Sequence, residues 1–172
     1  TIDYGPYGWL EGYDFGWTPN TTDREFKRYK FGTQPEIVHW NLFKLANALY
    51  PLIEEASGLE DILGEYERKY TVKYHDMMRS KLGLFEEHKE DVLLIKDLES
   101  NLHLTETDMT IFFRNLNNFH PDKVSEGVET IKDAFYAPNE VAGVIRKKWD
   151  DWFKAYASRL QLESVSFEER SR

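Results

Sequence analysis

The apolar residues of this chain change their period near residue 34, and that change limits what it can fold into. From Gln34 onward they recur at helical spacing. Ile37, Val38, Leu42, Leu45, Ala46 and Leu49 form one stretch, with Trp40 and Phe43 widening the stripe. No stretch after residue 34 alternates at period two, so no half-buried strand is expected there. Before residue 34, Gly5-Pro6, Gly8, Gly12, Gly16 and Pro19-Asn20 break regular structure every few residues. Tyr4, Tyr7, Trp9, Tyr13, Phe15 and Trp17 lie among them. Such aromatic content argues against disorder and predicts a long ordered loop pinned by aromatic burial. The expected class is all-α: an irregular, aromatic-rich segment over 1–34, then a single helical domain over 35–172.

Punctuation divides the helical part further. Pro35 suits a first helical turn, and Tyr50-Pro51 is expected to end or kink that helix. A second helix is expected from about Leu59 to Leu82, stopped by Gly83. A third covers about Glu87–Leu102, with Val92, Leu93, Ile95, Leu98 and Leu102 inward. Thr105-Glu106-Thr107-Asp108 offers an N-cap for a fourth, Asp108–Asn117. A fifth is expected over Asp122–Phe135. Pro138 opens a sixth running to about Leu162, with Trp149, Trp152, Phe153 and Tyr156 on its apolar side.

Composition removes several functional classes. The 172 residues hold 22 basic and 31 acidic side chains, a formal charge of −9, which argues against nucleic-acid binding through a basic face. Without cysteine there is no disulfide, thiolate metal site or cysteine nucleophile. The longest purely aliphatic run is Val92–Ile95, so neither a membrane span nor a signal peptide is expected. The chain begins at Thr1 rather than Met, as expected of a fragment or processed product. Glu36 and His39 have the E-x-x-H spacing of di-metal bundles, but such a bundle needs two of these motifs and two further Glu. His75, His88, His103 and His120 stand alone and read as surface or capping residues. There is no P-loop and no nucleophile elbow. The acidic runs, Glu86-Glu87 and Glu90-Asp91 among them, read as solvated helix faces.

A kinase-type metal aspartate remains. In Asp-Phe-Gly the carboxylate holds Mg²⁺ at the nucleotide phosphates, and the glycine lets the chain turn away. Asp14-Phe15-Gly16 is a literal match and Asp3-Tyr4-Gly5 a near one. Spacing does not choose between them.

Residues Asp3-Tyr4-Gly5-Pro6-Tyr7-Gly8-Trp9-Leu10, then Tyr13-Asp14, Pro19-Asn20, Asp23, Arg28-Tyr29, Gln34-Pro35 and Trp40-Asn41-Leu42, closely resemble the selenoprotein O (SelO, YdiU) family. Lys81-Leu82-Gly83-Leu84, Phe113-Arg114-Asn115-Leu116 and Trp152, Tyr156 and Arg159-Leu160 extend the resemblance along the chain. The resemblance implies a protein-kinase-like fold of which this chain is the helical C-lobe portion, and a pseudokinase that transfers AMP from ATP to Ser, Thr or Tyr hydroxyls of proteins. It implies that Asp3 is the metal-binding aspartate, with Mg²⁺ or Mn²⁺ as the metal, and that Asp14 is a turn residue of the following activation-segment-like loop. The family's nucleotide lobe, its phosphate-contacting Lys and Arg, and its catalytic-loop Asp and Asn precede the Asp3 position. No catalytic residue is therefore expected within these 172 residues, and the piece is expected to be inactive alone. The implied partners are the remainder of its own chain and protein acceptors. The implied compartment is cytoplasmic in a bacterium or mitochondrial in a eukaryote. The alternative is a non-catalytic helical scaffold with a kinase-like shape. The loop aromatics are expected to be core anchors, and Arg24, Lys27, Arg28 and Lys30 form the one local basic cluster.

Overall fold

The computed structural model describes residues 8–20, 25–53 and 55–165. Among them lie six α-helices: α1 (Gln34–Ile53), α2 (Ser57–Lys81), α3 (Asp91–Leu102), α4 (Met109–Leu116), α5 (Gly127–Thr130) and α6 (Gly143–Leu160). Short 3-10 turns occur at Phe31–Thr33, Val124–Glu126, Lys132–Ala134 and Pro138–Glu140. No strand occurs among the described residues, only isolated bridges between Gly12 and Asp108 and between Thr107 and Phe135. The all-α class expected from periodicity is the observed one. The described chain forms two compact units, one of residues 8–10 and 14–74 and the other of 11–13 and 75–165.

In the first unit, α1 starts at Gln34-Pro35 as its first-turn proline favours. Pro51 does not end it, and the helix runs on to Ile53. A proline this close to the C-terminus removes a single intrahelical bond, so the last turn survives. The His39 ring stacks on Tyr66 of α2 at 4.9 Å and 9°, and the Tyr66 hydroxyl donates to the Pro35 carbonyl at 3.0 Å. Tyr66, Tyr70 and Tyr74 stack in turn at 6.3 and 6.1 Å, as residues four apart on one helix face can.

The stop at Gly83 is a complete Schellman motif. Gly83 has φ +65°; its N–H donates to Ser80 O at 3.1 Å and Leu84 N–H to Arg79 O at 2.9 Å. In α4 the Asp108 carboxylate caps the helix as expected, accepting from Ile111 N–H at 2.8 Å.

The core of the second unit is aromatic. Trp149, Phe112 and Phe153 are fully enclosed. Phe112 lies 5.6 Å from Trp149, Phe119 4.9 Å from Phe153, and Trp152 4.9 Å from Tyr156. Two of the buried rings find partners for their polar tips. Trp152 Nε1 donates to Leu94 O at 3.0 Å and the Tyr156 hydroxyl to Leu82 O at 2.7 Å.

Four expectations are corrected. In α3 the inward residues are Leu94, Ile95, Leu98 and Leu102, while Val92 and Leu93 are 52% and 62% exposed. The wheel is turned so that Asp91 faces inward to a buried arginine, which carries Val92 and Leu93 away. The acidic run there is not wholly solvated, because Asp91 is 2% exposed. The continuous fifth helix over 122–135 is instead two 3-10 turns and the four-residue α5. Its last residues are drawn into pairing elsewhere: Asp108 N–H donates to Ala134 O at 2.8 Å and Tyr136 N–H to Glu106 O at 3.1 Å. Finally, Pro138 opens only a 3-10 turn, and the sixth helix starts at Gly143, whose φ is +53°.

Candidate functional site

Asp3, the residue expected to bind metal, lies outside the described residues, as does Arg24 of the basic cluster. The described loop begins at Gly8. A Cβ there would stand 2.9 Å from Trp17 Cζ2 and 3.3 Å from Pro19 Cβ, so the backbone passes against the indole at a distance only glycine allows.

Asp14-Phe15-Gly16 forms a local turn. Asp14 Oδ1 accepts from Gly16 N–H at 2.7 Å, and Asp14 O accepts from Trp17 N–H at 3.2 Å. This is the side-chain-to-backbone turn that short acidic residues favour. The Asp14 carboxylate is thus engaged with its own backbone, as the turn role implied by resemblance requires.

Two backbone bonds tie this turn to the start of α1. Gly32 N–H donates to Phe15 O and Phe31 N–H to Trp17 O, both at 2.9 Å. The Phe15 and Phe31 rings stack at 5.9 Å. A Cβ on Gly32 would lie 2.9 Å from Phe15 Cβ and 3.0 Å from Phe15 O. Glycine is therefore required at 32 for the close approach.

Tyr4 and Tyr7 lie outside the described residues, Tyr13 and Trp17 are half-buried, and the other described aromatics are not core anchors. Trp9 is 91% exposed, Phe26 77% and Phe15 43%. Backbone pairing and ring stacking hold the described part of the loop together with this partial burial.

Of the basic cluster, Arg28 lies over an indole, beside Lys44 of α1. The Arg28 guanidinium lies 4.2 Å above the Trp40 ring and the Lys44 ammonium 5.2 Å from the same ring, within cation–π range. Lys27 occupies the left-handed region at φ +44°. The turn after it is held by Lys30 N–H to Lys27 O at 3.0 Å and by the Thr33 hydroxyl donating to Arg28 O at 2.8 Å. Lys44 follows Trp40 by one helical turn of α1, a pairing visible in sequence; nothing in the sequence signalled that Arg28 would join it.

Among the described residues no three of His, Asp and Glu stand close enough together to hold a metal ion. His39 of the E-x-x-H pair lies face to face with Tyr66. His103 lies 5.4 Å from the Tyr13 ring, and Tyr13 donates to Glu99 at 3.0 Å.

Two features of the second unit escaped the sequence. Tyr136 donates its hydroxyl to Glu11 Oε2 at 2.6 Å. That bond, with burial and the Glu11 charge, pushes its pKa up to about 12. Met109 N–H also donates to Glu11 O at 2.8 Å, so residue 11 is held by side chain and backbone. The other is a buried ion network. Arg159 Nε stands 2.6 Å from Asp91 Oδ1 and Nη1 2.7 Å from Glu163 Oε1. Burial opposes the arginine's charge, but its hydrogen bonds to Asp91 and Glu163 outweigh it and its pKa is raised. The i,i+4 spacing of Arg159 and Glu163 was visible in sequence; the partner 68 residues away was not.

The family model for protein adenylyltransferase SelO matches residues 1–172. A protein nucleotidyltransferase YdiU of Flavobacterium johnsoniae is 54% identical over 171 residues, covering 99% of this chain and 33% of the relative. That of Aromatoleum aromaticum is 44% identical over 170 residues, covering 99% and 32%. That of Rhodopirellula baltica is 42% identical over 169 residues, covering 93% and 31%. The chain spans about a third of the length of these curated relatives.

Proposed function

The chain belongs to the protein adenylyltransferase SelO family, and from that premise we propose that it is the C-lobe part of a larger kinase-like enzyme. That enzyme transfers AMP from ATP to Ser, Thr or Tyr hydroxyls of proteins. The observation that carries the reading is the family match across the entire chain, joined to 54% identity with a protein nucleotidyltransferase.

In this reading Asp3 binds the Mg²⁺ or Mn²⁺ ion that offsets charge on the nucleotide phosphates. The engagement of Asp14 with Gly16 N–H supports Asp3 over Asp14 for that role. The family resemblance places the other ligands in the remaining two thirds of the polypeptide. The same holds for the nucleotide lobe and the carboxylate that accepts the hydroxyl proton. These 172 residues alone are accordingly inactive. The relatives are bacterial, which fits the cytoplasmic alternative of the two compartments that the resemblance implies.

The test uses the full-length protein and its Asp3→Ala variant, with Mg²⁺, a mixed protein acceptor and ATP labelled at the α- or γ-phosphate. Protein-bound α-label, lost in Asp3→Ala, is the expected result. Bound γ-label would make the enzyme a kinase. No label from either would move the reading to a non-catalytic scaffold.

A further inference from the structure

Helix α1 has the composition of a core helix and the exposure of a surface one. Of its 20 residues only Glu36 and Lys44 carry a formal charge, yet none is buried. By contrast, the 18 residues of α6 include Arg146, Lys147, Lys148, Asp150, Asp151 and Lys154, the polar face that a surface helix normally shows.

The exposed apolar residues of α1 are ordered. Val38, Leu42, Leu45, Leu49 and Leu52 follow one another at alternating steps of four and three, and Ile53 lies beside the last of them. At about 100° per residue these six fall within an arc of about 100°. Their exposures run from 36% at Leu49 to 81% at Leu52. Steps of four and three are the seam into which a second helix packs its side chains at a shallow angle.

We propose that this stripe of α1 is the seat of an amphipathic helix supplied by the part of the full-length polypeptide outside these 172 residues. Three observations select that occupant. The relatives are about three times as long as this chain, so a large body of polypeptide is available in the same molecule. The seam has no flanking charges of the kind that set register between two copies of a coiled coil. Apolar residues also stand away from the stripe, Trp40 at 42%, Phe43 at 47% and Tyr50 at 49% exposed. A second copy docked on the stripe would leave those rings in water, whereas a longer chain can enclose the helix on several sides. A helix that is apolar all round belongs in the interior of a large protein.

The proposal rests on the reading of the chain as one third of a longer protein, but not on any catalytic activity. Its test is therefore independent of label transfer. A photoreactive benzoylphenylalanine replaces Leu45, or separately Leu52, in the full-length protein. After irradiation, cross-linked peptides are identified by mass spectrometry. Carbene footprinting of the unsubstituted full-length protein is run alongside, so that a variant that fails to fold leaves a measurement standing.

The expected result is a cross-link from both positions to sequence outside the 172 residues. Labelling of the α1 peptide should fall to that of the peptide carrying Trp149, Trp152 and Phe153. A cross-link to residues 75–165 of the same chain would overturn the proposal. A cross-link to a second copy, lost on dilution, would overturn it as well. Labelling of α1 at the level of the urea-unfolded protein would also overturn it.

Discussion

The guanidinium of Arg159, on the last turn of α6, holds the carboxylate of Asp91, on the first turn of α3, with Nε 2.6 Å from Oδ1. Both side chains are nearly inaccessible, at 4% and 2%. Asp91 also accepts from His88 N–H at 2.9 Å, and Arg159 donates to the Glu86 carbonyl. The pair therefore fixes the entry into α3 as well as its rotation. Removing Arg159 strands two buried carboxylates, Asp91 and Glu163, whereas removing Asp91 leaves the arginine paired with Glu163. Arg159→Met is expected to cost about 3–5 kcal/mol of unfolding free energy. Adding Asp91→Leu and Glu163→Gln to it is expected to recover part of that loss, because no charge is then stranded. Urea denaturation of the set measures both; a triple variant as unstable as the single one would show that packing, not charge, dominates.

Glycine 127 and glycine 64 should respond to alanine in opposite directions. A Cβ on Gly127 would meet the Phe153 ring at 2.4 to 2.8 Å, while one on Gly64 meets nothing within 4 Å. Phe153 is fully buried and has no room to retreat. Gly127→Ala is expected to destabilise by about 1–3 kcal/mol through overpacking. Gly64→Ala, in an exposed turn of α2, is expected to stabilise by about 0.5–1 kcal/mol by restricting the unfolded chain. Thermal unfolding of the two variants reads the sign directly.

Tyr136 should ionise later than a free tyrosine. Its pKa in the fold is pushed up to about 12 from an ordinary 10 by its bond to Glu11. A group whose pKa is raised by folding stabilises the fold fully below its unfolded value. This contribution is present below about pH 10 and is lost as pH rises toward 12. An ultraviolet titration at the tyrosinate band should show a late step that Tyr136→Phe or Glu11→Gln removes. A late step that survives both substitutions would assign it to another tyrosine.

Asp14 and Asp3 should separate in a single assay. Asp14→Ala removes the acceptor for Gly16 N–H, an exposed bond worth at most about 1 kcal/mol. The full-length Asp14→Ala variant is expected to keep most of its α-label transfer, whereas Asp3→Ala loses it. Equal loss in both would place Asp14 in the chemistry rather than in the turn.

Much of the fold was present in the sequence because its signals are local. The helical period after Gln34, the stop at Gly83 and the cap at Asp108 each depend on residues within one or two turns. Local hydrogen bonds satisfy them whatever packs against the helix. Family membership was likewise carried by contiguous residues, Asp3 to Leu10 above all. Tertiary structure decided what depends on distant partners. Asp91 turns inward because Arg159 is there to neutralise it, and Val92 and Leu93 face outward as a consequence. The segment 122–135 gives up a continuous helix because the backbone of Ala134 and Tyr136 pairs with Asp108 and Glu106. Arg28 reaches the Trp40 ring because the loop folds back over α1. An apolar period says that a helix has a face to bury, and only the arrangement of the rest of the chain decides which residues lie on it.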